Sequence, residues 1–248
     1  MRVCVYGSSS ARSPKPYLDA AAEVGEILCS RNHVCINGGG SFGCMGAVND
    51  AMHARKGRVV ACIHEMWADA NEQVLQPCEE IIVVGGDNLA ARKRGLNDSA
   101  DAFIVLPGGP GTWDELWEVV SEVQIGIGAG RRQCPVVLLN VGGYYDGFVA
   151  QMKRAYQDGI MYKAPSEVLH VVETAKDAVD SIERAASEAK TSSIKAAGMK
   201  NFATDEARTR RAFSTHHKMA LAFAAGCVLT ASLSLALLQG RSKSNYTK

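Results

Sequence analysis

The sequence lacks the usual features of a secreted, zinc-binding or nucleic-acid-binding protein. Its eight cysteines include no C-x-x-C pair, and cysteine and histidine do not occur at the spacing of a zinc site. Several cysteines stand in apolar runs, which predicts reduced core residues in a reducing compartment. The net charge of +1 gives the chain no general attraction to nucleic acid.

Aromatic residues are also scarce, at 6% of the chain, whereas glycine occurs 24 times. Frequent glycine suits an α/β fold with many tight turns. No N-terminal signal is visible, because the chain starts directly with the strand-like run Arg2–Tyr6. With 47% hydrophobic residues, 248 residues suffice for one α/β domain with extensions.

Strand-like apolar runs alternate with helix-like segments from Arg2 to Glu188. This alternation predicts a Rossmann-like, doubly wound parallel sheet with right-handed crossovers and helices on both faces. Ligands of such sheets bind outside the carboxyl ends of the strands, where the glycine-rich turns of this sequence fall. The predicted strands are Arg2–Tyr6, Val34–Asn37, Val59–Ile63, Glu80–Val84, Asp101–Val105, Pro135–Leu139 and Val168–Val172. The predicted helices include Pro16–Arg31, Asp87–Ser99, Leu116–Gln124, Tyr145–Asp158 and Ala175–Glu188.

The composition changes after residue 188. Residues 189–218 are small, polar and basic, which is typical of a flexible linker. Residues 219–239 carry no charge, and as a helix they would be about 30 Å long, enough to cross a bilayer. The sequence favours a tail-anchored protein whose domain faces the cytosol, with residues 240–248 as a short basic tail; a buried or interfacial helix is the alternative. It leaves open whether that membrane is the mitochondrial outer membrane or the endoplasmic reticulum.

The segment Leu106–Glu115 (LPGGPGTWDE) joins a buried strand to a helix. Its three glycines let the backbone turn sharply and let a ligand approach closely. The free N–H groups and the dipole of the new helix favour an anion there, and Thr112 adds a hydroxyl as a helix cap or an anion contact. Asp114 and Glu115 are predicted in the first helical turn. Either they are acids that the dipole favours, or one carboxylate faces the ligand and acts on it.

A second glycine-rich turn, Gly38–Gly43 (GGGSFG), matches the dinucleotide fingerprint G-x-G-x-x-G between a strand and a helix. In that interpretation Glu65, near the end of the next strand, would bind the ribose. The alternative is a second phosphate or ribose cradle that faces the Pro107–Thr112 turn. Two such cradles in one parallel sheet suit a mononucleotide.

Three motifs together resemble the LOG ("lonely guy") family: Gly38–Gly46 (GGGSFGCMG), Arg92-Lys93 and Pro107–Glu115 (PGGPGTWDE). Its members are cytokinin riboside 5′-monophosphate phosphoribohydrolases, and similar sequences are often labelled lysine decarboxylases. The resemblance covers residues 2–188 and implies a phosphoribohydrolase domain over 1–188. It further implies hydrolysis of the N-glycosidic bond of a cytokinin or purine nucleoside 5′-monophosphate, a homodimer, and no cofactor or metal ion.

The resemblance also implies roles for individual residues. Arg92 and Glu115 match the catalytic pair: a carboxylate against the sugar stabilises an oxocarbenium-like centre or activates water, and an arginine binds phosphate or assists the departing base. As alternatives, Arg92 is a solvated helix charge and Ser121 a neutral surface serine. The predicted substrate and phosphate contacts are Gly39, Gly40, Ser41, Met45, Arg92, Lys93, Gly108, Gly109, Gly111, Thr112, Asp114 and Ser121.

The sequence departs from the family pattern in three places. Leu89–Lys93 (LAARK) lacks the glutamate that usually precedes the arginine, and Pro110 stands where an aromatic residue is common. The connection His64–Pro77 also differs, and it is predicted to form a loop over the site. These departures leave the base preference open.

Several further interpretations follow from the sequence. The apolar stripe of Trp113, Trp117, Val120 and Val123 indicates core packing first, although the family packs this helix against a second subunit. His33 and His53 are predicted to be surface or turn residues. Two rival functions are a nucleotide or cofactor carrier of the same fold without turnover, and a dinucleotide-dependent oxidoreductase that uses the turn at Gly38.

Overall fold

A computed structural model describes residues 1–68, 78–127 and 134–188, all within one unit, Met1–Ala189. These residues form a seven-stranded parallel sheet in the order β4-β3-β2-β1-β5-β6-β7. The strands are β1 (Arg2–Tyr6), β2 (Val34–Asn37), β3 (Arg58–His64), β4 (Glu80–Val84), β5 (Ala102–Val105), β6 (Val136–Leu139) and β7 (His170–Val172). The helices are α1 (Lys15–Ser30), α2 (Gly43–Ala54), α3 (Glu65–Ala68), α4 (Ala90–Asp98), α5 (Pro110–Gln124), α6 (Asp146–Gln157), α7 (Pro165–Val168) and α8 (175–188).

The sheet confirms the predicted parallel α/β architecture with helices on both faces. Along β1, Cys4 and Tyr6 belong to one core layer, whereas Val3 and Val5 belong to the other, because successive strand side chains point to opposite faces. Both layers are buried, so the central strands are almost entirely apolar.

The strand order places a crevice between β1 and β5. The two strands are neighbours, with Tyr6 paired to Val105, yet the chain leaves β1 toward β2 on one side and β5 toward β6 on the other. The connections after the two strands therefore diverge, and the opening outside their carboxyl ends is where open α/β sheets bind ligands.

Two element boundaries differ from the prediction. Helix α5 begins at Pro110 instead of Leu116, because proline at the first helical position has a preset φ and needs no N–H partner. Asp114 and Glu115 consequently lie in the second turn, and the prediction that they lie in the first turn is wrong. The last strand begins at His170 instead of Val168, because the short helix α7, which starts at Pro165, includes Val168.

Three side-chain placements also differ. His33 is 8% exposed and bonds to the N-terminal amine and to Glu183, so its surface prediction is wrong. The Nε2 atom of His53 is buried, and no hydrogen-bond partner for it occurs among the described residues. Trp113 and Trp117 are 42% and 43% exposed, so core packing holds for Val120 and Val123 of the stripe but not for the tryptophans.

The seven described cysteines are thiols, and five of them are buried, as predicted for reduced core residues. Burial raises the pKa of the Cys35 thiol to about 12, which keeps it protonated. Among the helices within 1–68, 78–127 and 134–188, none has the length and apolar character of a membrane span. The predicted span 219–239, the linker 189–218 and the tail 240–248 lie outside the described residues.

Candidate active site

A cavity of about 430 Å3 opens at the carboxyl edge of the sheet, beside the crevice between β1 and β5. Its wall comes from the segments that follow β1, β2, β3 and β5 and from α4. The structure brings seven predicted site residues together there: Gly40, Met45, Arg92, Gly109, Gly111, Thr112 and Glu115. Arg92 and Glu115 are the two charged side chains of the described wall.

The Arg92 side chain is held on several sides and is only 11% exposed, so its interpretation as a solvated helix charge is wrong. Its Nε donates to the carbonyl oxygen of Cys62 at 3.1 Å, and its guanidinium carbon lies 5.6 Å from the centre of the Trp67 ring. A Cβ on Gly38 would lie 2.0 Å from Arg92 Nη2, so this glycine makes room for the guanidinium. The contacts fix Arg92 in one orientation at the cavity wall.

Glu115 forms an ion pair with Arg92 inside the cavity. Arg92 Nη1 donates to Glu115 Oε1 at 3.4 Å, and the carboxyl side chain is 11% exposed. Burial raises the pKa of Glu115 to about 7, although the positive charge of Arg92 acts in the opposite direction. A carboxyl group with this pKa exchanges protons at neutral pH, as a general acid or base must.

The start of α5 presents unpaired donors to the cavity. Gly109 occupies the cap position and Pro110 the first helical position, so the prediction of Thr112 as N-cap is wrong. Within the described part of the chain, the N–H groups of Gly111 and Thr112 meet no acceptor, whereas Trp113 N–H bonds to Gly109. Because the helix dipole adds partial positive charge there, this end of the cavity suits a phosphate.

Two tyrosines that the sequence analysis did not single out fix the turn before α5. The Tyr144 hydroxyl donates to the carbonyl oxygen of Gly108 at 2.5 Å, and the Tyr145 hydroxyl donates to that of Leu106 at 2.8 Å. A Cβ on Gly108 would lie 2.2 Å from Thr112 Oγ1, so the turn also requires a glycine at this position.

The turn after β1 occupies the donors at the start of α2. Ser8 donates its N–H to Pro107, accepts the N–H of Met45 on its carbonyl oxygen, and accepts the N–H of Cys44 on its hydroxyl, each at 3.1 Å. In a dinucleotide-binding turn such N–H groups face the pyrophosphate. Here Ser8 satisfies them, which argues against a dinucleotide at the fingerprint glycines.

A buried asparagine pair supports the glycine-rich turn after β2. Asn37 Nδ2 donates to Asn49 Oδ1 at 2.6 Å, and Asn37 Oδ1 accepts the N–H of Gly39 at 2.8 Å. Asn49 Nδ2 donates to the carbonyl oxygen of Gly40 at 3.2 Å. Both asparagines are at most 1% exposed, so these bonds replace water.

We expect Asn49→Leu to destabilise the domain by about 1–3 kcal/mol, because it leaves the Asn37 amide and the Gly40 carbonyl oxygen buried without this partner. Urea unfolding measures the effect. The exposed Asp50→Asn variant, one residue further along α2, is the matched control and is expected to unfold at the wild-type urea concentration. An Asn49→Leu variant as stable as the wild type would contradict this account.

Several predicted contacts lie outside the cavity wall. Lys93 bonds to Asp114 at 2.9 Å and to Glu118 at 2.8 Å, which ties α4 to α5 behind Arg92 and Glu115. Ser121 is exposed, in agreement with the surface alternative. Glu65 accepts the N–H of Gly86 at 3.3 Å instead of standing free for a ribose. Gly39, Ser41 and Gly108 support the turns and are likewise absent from the wall.

The cavity wall also contains residues that were not among the predicted contacts, namely Gly7, Ser8, Ser9, Ser10, Gly38, Ile63, Trp67, Leu89 and Pro110. The serines follow β1 at the carboxyl edge, so the rule for ligand position in parallel sheets would have found them. Trp67 belongs to the connection that was predicted to lie over the site. In the part of the chain that the structure describes, no cluster of His, Cys, Asp and Glu could hold a metal ion.

Comparison with known proteins decides the family. The family model described as "Possible lysine decarboxylase" matches residues 45–182. The chain is 36% identical over 182 residues to the cytokinin riboside 5′-monophosphate phosphoribohydrolase LOG3 of Arabidopsis thaliana, an alignment that covers 73% of this chain and 81% of that protein. The chain belongs to the LOG family. The LOG enzyme of Oryza sativa subsp. japonica is also 36% identical, over 73% of this chain and 72% of its own length.

A solved structure shows how widely the fold is shared. The molybdenum cofactor carrier protein of Chlamydomonas reinhardtii matches with a TM-score of 0.55 and 20% identity, over 74% of this chain and 96% of its own. At this identity the likeness concerns the fold alone. The predicted membership of the LOG family is thus confirmed by the sequence relatives, and the parallel α/β fold agrees with the structural one.

Proposed function

We propose that this LOG-family chain hydrolyses the N-glycosidic bond of a cytokinin or purine nucleoside 5′-monophosphate, releasing the free base and ribose 5-phosphate. Its LOG relatives carry the name of this activity. The observation that carries the proposal is the buried carboxyl of Glu115, 3.4 Å from Arg92, in a cavity that ends at the unpaired N–H groups of α5.

In this proposal the phosphate binds at the start of α5. The N–H groups of Gly111 and Thr112 donate to its oxygens, and Ser8 and Ser10 line the cavity beside them. The helix dipole stabilises the negative charge, and the glycines let the phosphate approach the backbone. The ribose then lies toward Glu115, and the base toward the apolar side chains of Met45, Ile63 and Leu89.

Bond cleavage follows from the position of Glu115. The carboxylate stabilises the positive charge that develops on the ribose and accepts a proton from the attacking water, whose oxygen bonds to C1′. The C1′–N bond breaks, its electron pair goes to the base, and the proton passes from Glu115 to the base nitrogen. Arg92 donates a charge-assisted hydrogen bond to the departing base. No step requires a metal ion or a redox cofactor.

The test is a panel of nucleoside 5′-monophosphates incubated with the full chain, with chromatographic detection of the free base. We expect release of base and ribose 5-phosphate from at least one cytokinin or purine member. Tight binding without turnover would favour a carrier of the same fold. Binding of a nicotinamide dinucleotide alone would favour the oxidoreductase, which the occupied N–H groups of Cys44 and Met45 oppose.

A glycine substitution tests the placement of Arg92. We expect Gly38→Ala to lower kcat/KM for a monophosphate substrate by about 10- to 100-fold, because the new methyl group displaces the guanidinium and a small misplacement of a catalytic group is costly. Gly147→Ala in α6 is the matched control, since a Cβ at Gly147 meets nothing within 4 Å. Equal kinetics of the two variants would show that the Gly38 contact does not matter.

We also propose that the chain forms a homodimer through an aromatic surface made of Trp113, Trp117, Tyr144 and Phe148. The tryptophans are exposed, and Trp117 lies 4.6 Å from Phe148 between ring centres. Exposed aromatic clusters are typical of protein interfaces. Light scattering is expected to give twice the chain mass for the wild type and the single chain mass for Trp117→Glu. A wild-type monomer at micromolar concentration would refute the dimer.

For residues beyond the domain, we propose the linker 189–218, the membrane anchor 219–239 and the basic tail 240–248, with the domain facing the cytosol. The support is the uncharged sequence of 219–239 between basic residues. Extraction of cell membranes with alkaline carbonate tests the anchor. The full chain is expected in the pellet and a chain ending at residue 218 in the supernatant; release of the full chain would refute the anchor.

A further inference from the structure

The short helix α3 places an aromatic ring directly on the guanidinium of Arg92. The Trp67 ring centre lies 5.6 Å from Arg92 Cζ, within the range of a cation–π contact, and Trp67 also lines the cavity. The family motifs identified in the sequence do not include this residue, which stands in the connection that departs from the family pattern.

Trp67 is itself held in place by His64, the last residue of β3. His64 is 3% exposed: its Nδ1 accepts the N–H of Met66 at 3.2 Å, and its Nε2 therefore donates to the carbonyl oxygen of Gly86 at 3.0 Å. The imidazole lies edge-on to the indole, with 6.3 Å between ring centres. These hydrogen bonds link the start of α3 to the end of β3, which fixes the position of the Trp67 indole.

The Trp67 ring adds an aromatic contact to a guanidinium group that other residues already hold in place. Nε of Arg92 bonds to Cys62, Nη1 bonds to Glu115, and Nη2 lies against Gly38. The indole excludes water from the charged groups of Arg92 and Glu115. Two charges attract each other more strongly where water does not screen them. The free N–H bonds of Nη1 and Nη2 remain available to a ligand.

We infer that Trp67 is a positioning residue that excludes water from the ion pair between Arg92 and Glu115. The inference rests on the proposed function and deepens it, because it assigns the exclusion of water from the catalytic pair to one side chain. It does not depend on turnover, since the state of the Glu115 carboxyl is measurable in the free protein.

The charged and titratable groups around Glu115 set the background for this effect. Arg92 and Lys93 face it from α4, Asp114 precedes it on α5, and Cys4 and Tyr6 face it from β1. None of these groups is replaced when Trp67 is changed. Arg92 also keeps its bond to Cys62 and its contact with Gly38, so the principal change is entry of water. Because burial is the main cause of the raised pKa of Glu115, hydration lowers this pKa.

The first test is nuclear magnetic resonance of the full chain with isotope-labelled glutamate, in which Glu115→Gln identifies the Glu115 carboxyl signal. We expect a titration midpoint of about 7 in the wild type and a midpoint clearly closer to the ordinary value of 4.5 in Trp67→Leu. Trp67→Phe keeps an aromatic face on Arg92 and is expected to stay near the wild type. A midpoint in Trp67→Leu that is unchanged or higher overturns the inference.

The second test is kinetic and separates positioning from contact with the substrate. With a turned-over monophosphate, Trp67→Leu is expected to lower kcat by about 10- to 100-fold with little change in KM, because a hydrated ion pair stabilises the developing charge less. The lower pKa of Glu115 is expected to move the acid limb of the pH profile down. Met66→Leu, at a neighbouring residue that is 63% exposed, is the control. A raised KM with unchanged kcat and pH profile would instead make Trp67 a wall of the base subsite. If no monophosphate turns over, the proposed function fails while the resonance titration still decides this inference.

Discussion

Glu115→Gln is expected to lower kcat for monophosphate hydrolysis by roughly 1,000-fold, the magnitude that loss of an acid–base or charge-stabilising group produces. Glutamine has nearly the same shape as glutamate but carries no charge and cannot accept the proton of the attacking water. The side chain is 11% exposed, so bulk water cannot replace the lost carboxylate at its site. Measurement of released base under saturating substrate gives the change in kcat.

The same variant is expected to keep its affinity for ribose 5-phosphate, because in the proposed binding mode the N–H groups of α5 hold the phosphate without help from Glu115. Calorimetric titration measures this affinity. Glu23→Gln on the exposed side of α1 is the control for a lost carboxylate elsewhere and is expected to retain wild-type turnover. Wild-type kcat in Glu115→Gln would remove the central residue of the proposed mechanism.

Arg92→Ala is expected to lower kcat/KM by roughly 100- to 1,000-fold, since truncating one partner of a buried pair also leaves the other charge unpaired. The effect on the pH profile is more specific. In the wild type, kcat/KM should rise with pH through about 7, because the proposed mechanism requires the carboxylate form of Glu115 and its pKa is raised to about 7. The positive charge of Arg92 lowers this pKa, so its removal should move the rise to higher pH.

Initial rates at low substrate concentration, measured from about pH 5 to pH 9, provide that profile. Arg94→Ala is the matched control, because Arg94 stands two residues further along α4 and is exposed. It is expected to retain the wild-type midpoint and rate. A rise at lower pH in Arg92→Ala would mean that the arginine does not stabilise the carboxylate, in contradiction to the 3.4 Å contact.

The fold was largely predictable because the spacing of apolar residues and the positions of turn-forming residues are local properties of the sequence. Apolar runs such as Val34–Asn37 and the glycine-rich turns gave the order of strands and helices, and all seven predicted strands form. Boundaries were less accurate where proline changes the local preference. Pro110 starts α5 early, and Pro165 starts a helix that includes Val168, the first residue of the last predicted strand. These errors arose from short-range preferences that compete over a few residues.

Burial of individual polar residues could not be predicted. His33 is buried because α8 brings Glu183 to it from 150 residues further along the chain. The donors at the start of α2 are occupied because β1 neighbours β2, which puts Ser8 beside Cys44 and Met45. A pattern that describes one segment contains no information about a partner supplied by another segment.

By itself, the sequence determined the parallel α/β class, the glycine-rich turn before α5 and membership of the LOG family, because each depends on residues that are adjacent in the chain. Only the tertiary structure decided which side chains share the cavity, since the strand order joins segments as distant as Ser8 and Thr112. The tertiary structure also decided the environment of Glu115. Its raised pKa and its ion pair with Arg92 exist only after folding has removed water from both groups.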